Sequence, residues 1–177
     1  MKLITFIFFF FINFFCPSLL AQTIAIVNVQ SLIDNNYQYI ETISEIEISQ
    51  KKYLDNFKTI ENDLSSLLNE INESKLILSN DELNSKIDNY NSELHEFNMI
   101  VDKFNLHYQN EIYNLRDIIL KEIILLLEKY ASDNKIDLIL DSTSYLIASN
   151  SLNITNYISE ELKKINLKLK FDDFETN

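Results

Sequence analysis

The chain contains no glycine in its 177 residues, and its single proline is Pro17. Glycine supplies positive φ for tight turns and lets a backbone approach a phosphate closely. A Gly-rich nucleotide loop or a Rossmann turn is therefore excluded. Folds built from many short βα units need such turns at their junctions, whereas a few long helices do not. The sequence points to long helices before any periodicity is read.

The amino terminus is set apart from the rest. Met1-Lys2 precedes an apolar run from Leu3 to Phe15, interrupted by Thr5 and Asn13, and then come Pro17, Ser18 and Ala21. This order reads as a secretory signal peptide over residues 1–21, cut between Ala21 and Gln22. A retained anchor would want ~20 apolar residues and a basic flank. Asn13-Phe14-Phe15 before Cys16 lacks the small residues of a lipidation site. The mature chain is thus expected to hold no cysteine, and so no disulfide and no thiolate-bound metal. Loss of Lys2 takes the formal charge from -12 to about -13. Such a surface repels phosphate backbones and anionic lipid, so neither a nucleic-acid partner nor stable membrane insertion is expected.

Thr23 to Val29 is β-branched and apolar and predicts a buried strand. From Ser31 the pattern is helical, with an irregular stretch at Asn35-Asn36-Tyr37. From Ile40 a heptad rhythm sets in: Ile43, Phe57, Leu64, Ile71 and Leu78, with Gln50 as a polar lapse, and Ile46, Tyr53, Ile60 and Leu67 as the second seam. Ser79 with Glu82 three residues later predicts a capping box and a new helix. Its seam is Leu83, Ile87, Tyr90, Leu94, Phe97, Val101, Phe104, Tyr108, Leu115 and Ile118. Two long seams joined by a short polar turn predict an antiparallel hairpin over residues 37–133.

The apolar ring widens at Ile118–Leu120 and Ile123–Leu127, which predicts entry into a core. Ile136–Asp141 and Tyr145–Ala148 read as two strands about the turn Ser142-Thr143-Ser144. Asn153 and Thr155 open a last helix carrying Ile154, Ile158, Leu162 and Ile165. Leu167, Leu169 and Phe171 alternate with Lys168 and Lys170, predicting an edge strand with a frayed acidic end. The fold class expected is mainly α: a long coiled-coil arm inserted into a small α/β oligomerisation body made of residues 22–36 and 134–177. A body of roughly 60 residues buries too little apolar surface alone, so oligomerisation is expected.

No catalytic or cofactor site emerges. His95-Glu96 would need a second histidine at position 99, where Met99 stands, so a zinc-protease motif fails. His107 lies too far along the helix to share a metal with His95, and both histidines read as solvated helix residues. The pairs Glu160-Glu161 and Asp172-Asp173 read as surface charge, and no Ser/His/Asp set is credible without glycine at a nucleophile turn. Asn72-Glu73-Ser74 and Asn153-Ile154-Thr155 match a glycosylation acceptor by chance.

Taken in order, Ile24-Ala25-Ile26-Val27-Asn28-Val29-Gln30 after a signal peptide, Tyr130 to Asp141, and Asn153 to Lys164 resemble the Skp/OmpH family of periplasmic chaperones. The resemblance implies a homotrimer whose β body carries three helical arms around a cavity. It implies a non-enzymatic, ATP-independent holder of unfolded outer-membrane β-barrel proteins, without cofactors. Carried over, the body strands would be Ile24–Val29, Ile136–Asp141 and Tyr145–Ala148. Their oligomer-building residues would be Ile24, Ile26, Val27, Val29, Ile136, Leu138, Ile139, Leu140, Leu146 and Ile147. Seam aromatics such as Tyr90, Phe97, Phe104 and Tyr108 are expected to be buried, leaving off-seam Leu54, Leu68, Leu76, Ile100 and Leu106 as client-facing candidates.

One departure separates this chain from the well-known basic members. Residues 40–130 hold 9 Lys/Arg against 18 Asp/Glu. Capture would then rest on apolar and amide-rich surfaces rather than charge, and electrostatic capture of acidic clients or lipopolysaccharide is not expected. The rival reading is a structural coiled-coil spacer or adaptor arm of the envelope, which a test of client solubility would discriminate.

Overall fold

The computed structural model describes residues 22–175; the signal-peptide expectation and its cut after Ala21 lie outside them. The element order is β1 (Ile24–Val27), α1 (Val29–Asp34), α2 (Tyr37–Ser74), α3 (Asn80–Asn134), β2 (Leu138–Asp141) and α4 (Thr155–Leu162). Two 3-10 turns, Ser142–Ser144 and Asn150–Leu152, lie between β2 and α4.

Asparagines start the first two helices. Asn28 Oδ1 accepts the Ser31 amide at 2.8 Å, and Asn36 Oδ1 accepts the Tyr39 amide at 3.1 Å. Each satisfies a donor that the first helical turn leaves unpaired. The cap at Asn28 also ends β1 two residues before the predicted limit, so Val29 begins a helix instead of closing a strand. Ser79 and Glu82 form the reciprocal capping box that opens α3, with the Ser79 amide donating to Glu82 Oε2 at 3.0 Å.

β1 and β2 pair in parallel, Ile24 opposite Leu138 and Val27 opposite Asp141. Parallel strands require a long crossover, and here α1, α2 and α3 supply it. The far edge of β1 is covered by a bridge from Ile26 to Asn153 and by the Ile154 amide donating to Ile26 O at 2.9 Å. Ala25 and Val27 pack with Leu32, Ile33, Ile119, Ile123, Ile158 and Leu162 in the core of this end.

The two long helices pack in opposite senses. Tyr39 meets Arg116, Ser49 meets Tyr108, Phe57 meets Phe97, and Glu70 meets Lys86. At ~1.5 Å per residue the 38 residues of α2 extend about 57 Å. The α2 seam differs in phase from the predicted one. Its buried positions below Phe57 are Tyr39, Thr42, Ile46 and Ser49, with Tyr53 partly buried. The polar member is thus Ser49, and Gln50 lies beside the seam. Steps of four from Ser49 to Tyr53 to Phe57 are a stutter, which locally unwinds the supercoil.

Three further expectations are corrected. Tyr145–Ala148 forms no strand: Asp141 caps the Ser142–Ser144 turn through the Thr143 amide at 3.0 Å, and Leu146 and Ile147 are left fully exposed. Of the first residues of the second predicted strand, Ile136 closes the turn that follows α3 through Ala131 O and Asp137 bonds to Thr23 just ahead of β1, so β2 starts only at Leu138. Over the described residues the tail after α4 forms no edge strand, and it is packed as far as Phe174. Lys168 takes φ 50, which breaks the extended alternation. The chain then runs along the long helices, with Leu167 and Phe174 buried.

Candidate binding surface

The histidines and carboxylates examined for catalysis are dispersed. His95 is exposed on α3. His107 departs from expectation: its ring lies edge-to-face with Tyr108 at 5.0 Å between centroids, and its Nε2 lies 2.7 Å from the Asp172 carbonyl. Glu160 and Glu161 form surface ion pairs with Lys163 and Lys164. Among the described residues, no group of three or more His, Cys, Asp or Glu could hold a metal ion.

What remains as a site is surface available for binding. Seam aromatics Phe97, Phe104 and Tyr108 are buried, and Tyr90 is partly buried. Of the client-facing candidates, Leu54, Leu68, Leu76 and Leu106 are exposed, while Ile100 packs against the core cluster. The body residues divide similarly. Ile26 and Val27 are buried; Ile24, Val29, Ile136, Ile139 and Leu140 are intermediate; Leu138, Leu146 and Ile147 are exposed.

Four exposed apolar residues of α3 form a row distinct from its seam. Met99, Leu106, Tyr113 and Leu120 recur every seven residues, and all four are exposed. Met99 follows Phe97 by two positions and Leu106 follows Phe104 by two, so both sit about 200° round the helix from the seam. A coiled coil ordinarily fills that outward position with charged and polar residues. An apolar row there adds nothing to the pairing of the helices and is surface to be covered by something else. The same heptad spacing marks both the seam and this row, and of the row the off-seam candidates include Leu106 alone. Beside it, Gln50, Asn105, Gln109, Tyr113 and Arg116 line an amide-rich cleft.

Arg116 fixes the base of this surface. Its guanidinium donates to Gln30 Oε1 at 2.7 Å and Asp34 Oδ1 at 3.3 Å, and lies 5.9 Å from the Tyr39 ring centroid. The Tyr39 hydroxyl raises the Arg116 pKa, against desolvation and with help from Asp34. One side chain thereby ties α3 to α1 and to the start of α2. On the tail side, burial pushes the Tyr53 phenol up, with Tyr108, Asp173 and Glu175 adding to it, so it stays protonated and donates to the Phe174 carbonyl.

The family model described as outer membrane protein (OmpH-like) matches residues 23–162. The chain belongs to the OmpH-like family. That match runs from β1 through both long helices to the last residue of α4, leaving the tail outside. No curated protein sequence matches the chain. Among solved structures, an OmpH-like protein of Caulobacter crescentus, described as an outer membrane chaperone, superposes with a TM-score of 0.67 at 11% identity. The superposition covers 89% of this chain and 93% of the other, so the OmpH-like fold extends over nearly the whole chain. No helix among the described residues is long and apolar enough to cross a membrane.

Proposed function

We propose that this OmpH-like protein is an ATP-independent holding chaperone of the periplasm that keeps unfolded outer-membrane β-barrel proteins from aggregating. The observation that carries the reading is the exposed apolar row Met99, Leu106, Tyr113 and Leu120 on a helix whose seam is already buried against its neighbour. Leu54, Leu68 and Leu76 add further exposed apolar contacts on and just beyond α2. Dispersed apolar and amide contacts on a long surface can hold many sequences, because they demand no fixed partner geometry. Without a nucleotide loop, release follows from dissociation of weak, multiple contacts as the client folds or is handed on.

In this reading, residues 37–133 are the coiled-coil arm, and residues 22–36 with 134–177 are the body, reached after signal removal at Ala21-Gln22. The body is the centre of a homotrimer. β2 has a single strand neighbour among the described residues, and Leu138 within it and Leu146 and Ile147, a few residues after it, are exposed. Such an apolar edge invites pairing with further copies. Three arms then enclose the space in which a client is held.

The test is the solution mass of the chain from Gln22, alone and after dilution of a urea-denatured outer-membrane protein into it. A mass near three subunits that takes up client in a soluble complex supports the reading. A trimer that leaves the client to aggregate assigns the arms to a structural role in the envelope.

A further inference from the structure

Among the described residues the tail beyond α4 has no helix or strand, yet it is held near Ile165 and again near Phe174. Gln38 uses its whole amide: Nε2 donates to the Ile165 carbonyl at 2.8 Å, and Oε1 accepts the Leu167 amide at 3.0 Å. Farther along, His107 Nε2 meets the Asp172 carbonyl at 2.7 Å, and Glu111 Oε2, one turn on, accepts the Asp172 amide at 3.2 Å. The Tyr53 hydroxyl donates to the Phe174 carbonyl. All five bonds address main-chain atoms. Only Ser49 to Asp173 addresses a side chain of the tail.

A clamp that reads main chain is blind to sequence. Gln38, and His107 with Glu111, each satisfy one C=O and one N–H, as a neighbouring strand would. Sequence is read by apolar side chains: Leu167 and Phe174 are buried, Leu169 and Phe171 pack against the core cluster, and Phe174 fills an aromatic slot, 5.4 Å from Tyr53, 5.5 Å from Phe104 and 5.7 Å from His107, centroid to centroid. The clamping side chains all belong to α2 and α3, within the family match, whereas the gripped residues lie beyond its end at 162.

We propose that the groove between α2 and α3, from Gln38 to Glu111, is a peptide site for an extended, aromatic-bearing segment of an unfolded polypeptide, with residues 165–175 as its built-in competing occupant. This rests on the reading of the protein as a holder of unfolded chains and gives that activity a defined site. The tethered tail acts at a high effective concentration, of order mM for a short flexible link. A client segment displaces it only when other contacts, such as the apolar row of α3, hold the client nearby. The tail therefore sets a threshold that single short peptides fail and long unfolded chains pass.

The experiment uses the chain from Gln22 and a fluorescent peptide of residues 165–175, titrated by anisotropy. Phe174→Ser empties the slot. Asp173→Lys removes the one side-chain bond at an exposed tail position, leaves the groove intact, and serves if the first variant folds poorly. Both variants are expected to bind the peptide about tenfold tighter than the wild type. A peptide shuffled at its polar positions, with Leu167, Leu169, Phe171 and Phe174 kept in place, should bind within about threefold, whereas replacing Phe174 by serine should cost about tenfold. Equal affinity in wild type and both variants overturns the proposal, as does failure of the shuffled peptide. Denatured outer-membrane protein is then added, and displacement of the peptide supports the client site. A client kept soluble without displacement overturns the groove and leaves the holding function standing. Shuffled-peptide binding with no client held retains the groove as a peptide site and sinks the holding function.

Discussion

Asp141, the last residue of β2, accepts the amide of Val29, the first residue of α1, at 3.0 Å across 112 positions of sequence. Its other carboxylate oxygen accepts the Thr143 amide, also at 3.0 Å. One side chain thus starts a helix at one end of the chain and a turn at the other. Desolvation raises its pKa, but the bonds from Thr143, Val29 and Ser142 outweigh it, and the net shift is downward. A depressed folded pKa contributes stability that is present at neutral pH. It fades as pH falls past the ordinary Asp value near ~4 and is gone below the folded value. Asp141→Asn removes the charge and one of two acceptors, and is expected to cost about 1–2 kcal/mol at pH 7. Urea midpoints measured from pH 7 to pH 3 should converge for variant and wild type at the acid end. Parallel curves would mean that this carboxylate is not the group that titrates.

Ser49 and Tyr108 meet across the seam at 2.6 Å, and both are buried. Ser49→Ala leaves the Tyr108 hydroxyl without its partner and is expected to cost about 1–3 kcal/mol. Tyr108→Phe costs less, because Ser49 keeps Asp173 as a partner. With the Tyr108 hydroxyl already gone, Ser49→Ala loses only the bond to Asp173, so a double-mutant cycle by urea unfolding should return a coupling of about 1 kcal/mol. Additive effects would mean that the two hydroxyls do not share a bond.

How much of this was legible follows the range of the interactions involved. The Ser79–Glu82 box and the burial of Phe57, Phe97 and Phe104 are written in spacings of three, four and seven, and a single sequence displays them. The phase change at Ser49 was hidden because a buried serine looks like a lapse until Tyr108 is seen opposite it. The apolar row through Met99 and Tyr113 has the heptad spacing in full, but attention to the seam passed over it. Asp141 with Val29, and Gln38 with the tail, join residues more than a hundred positions apart, and no local pattern carries them. Leu146 and Ile147 look like strand because their side chains suit one, although among the described residues no strand pairs with them.

Lys135 ends α3 at φ 55, ψ 43, with its amide bonded to Ala131 O. This is the left-handed position that usually holds glycine, and the chain has none to place there. Lys135→Gly removes the Cβ penalty and is expected to stabilise by about 1 kcal/mol, less what the freer unfolded chain gives back. The urea midpoint should rise. A fall would show that the lysine side chain contributes more than its backbone costs.

The apolar row and the acidic surface lead to one further expectation. Met99, Leu106 and Tyr113 are exposed, so serine at each should change stability by less than about 0.5 kcal/mol. Each side chain, partly covered by client, would contribute on the order of 1 kcal/mol to binding, and the triple variant should hold client at least about tenfold more weakly. Residues 40–130 carry 9 Lys/Arg against 18 Asp/Glu, so acidic clients gain nothing from charge. Raising salt from about 50 mM to 500 mM shortens the screening length from above 10 Å to under 5 Å. Affinity for an acidic client should then hold steady or rise, because repulsion is screened while apolar contacts are not. The readout is client affinity across that salt series for wild type and triple variant. A steep fall with salt in the wild type would assign capture to local basic groups and remove the apolar row from the mechanism.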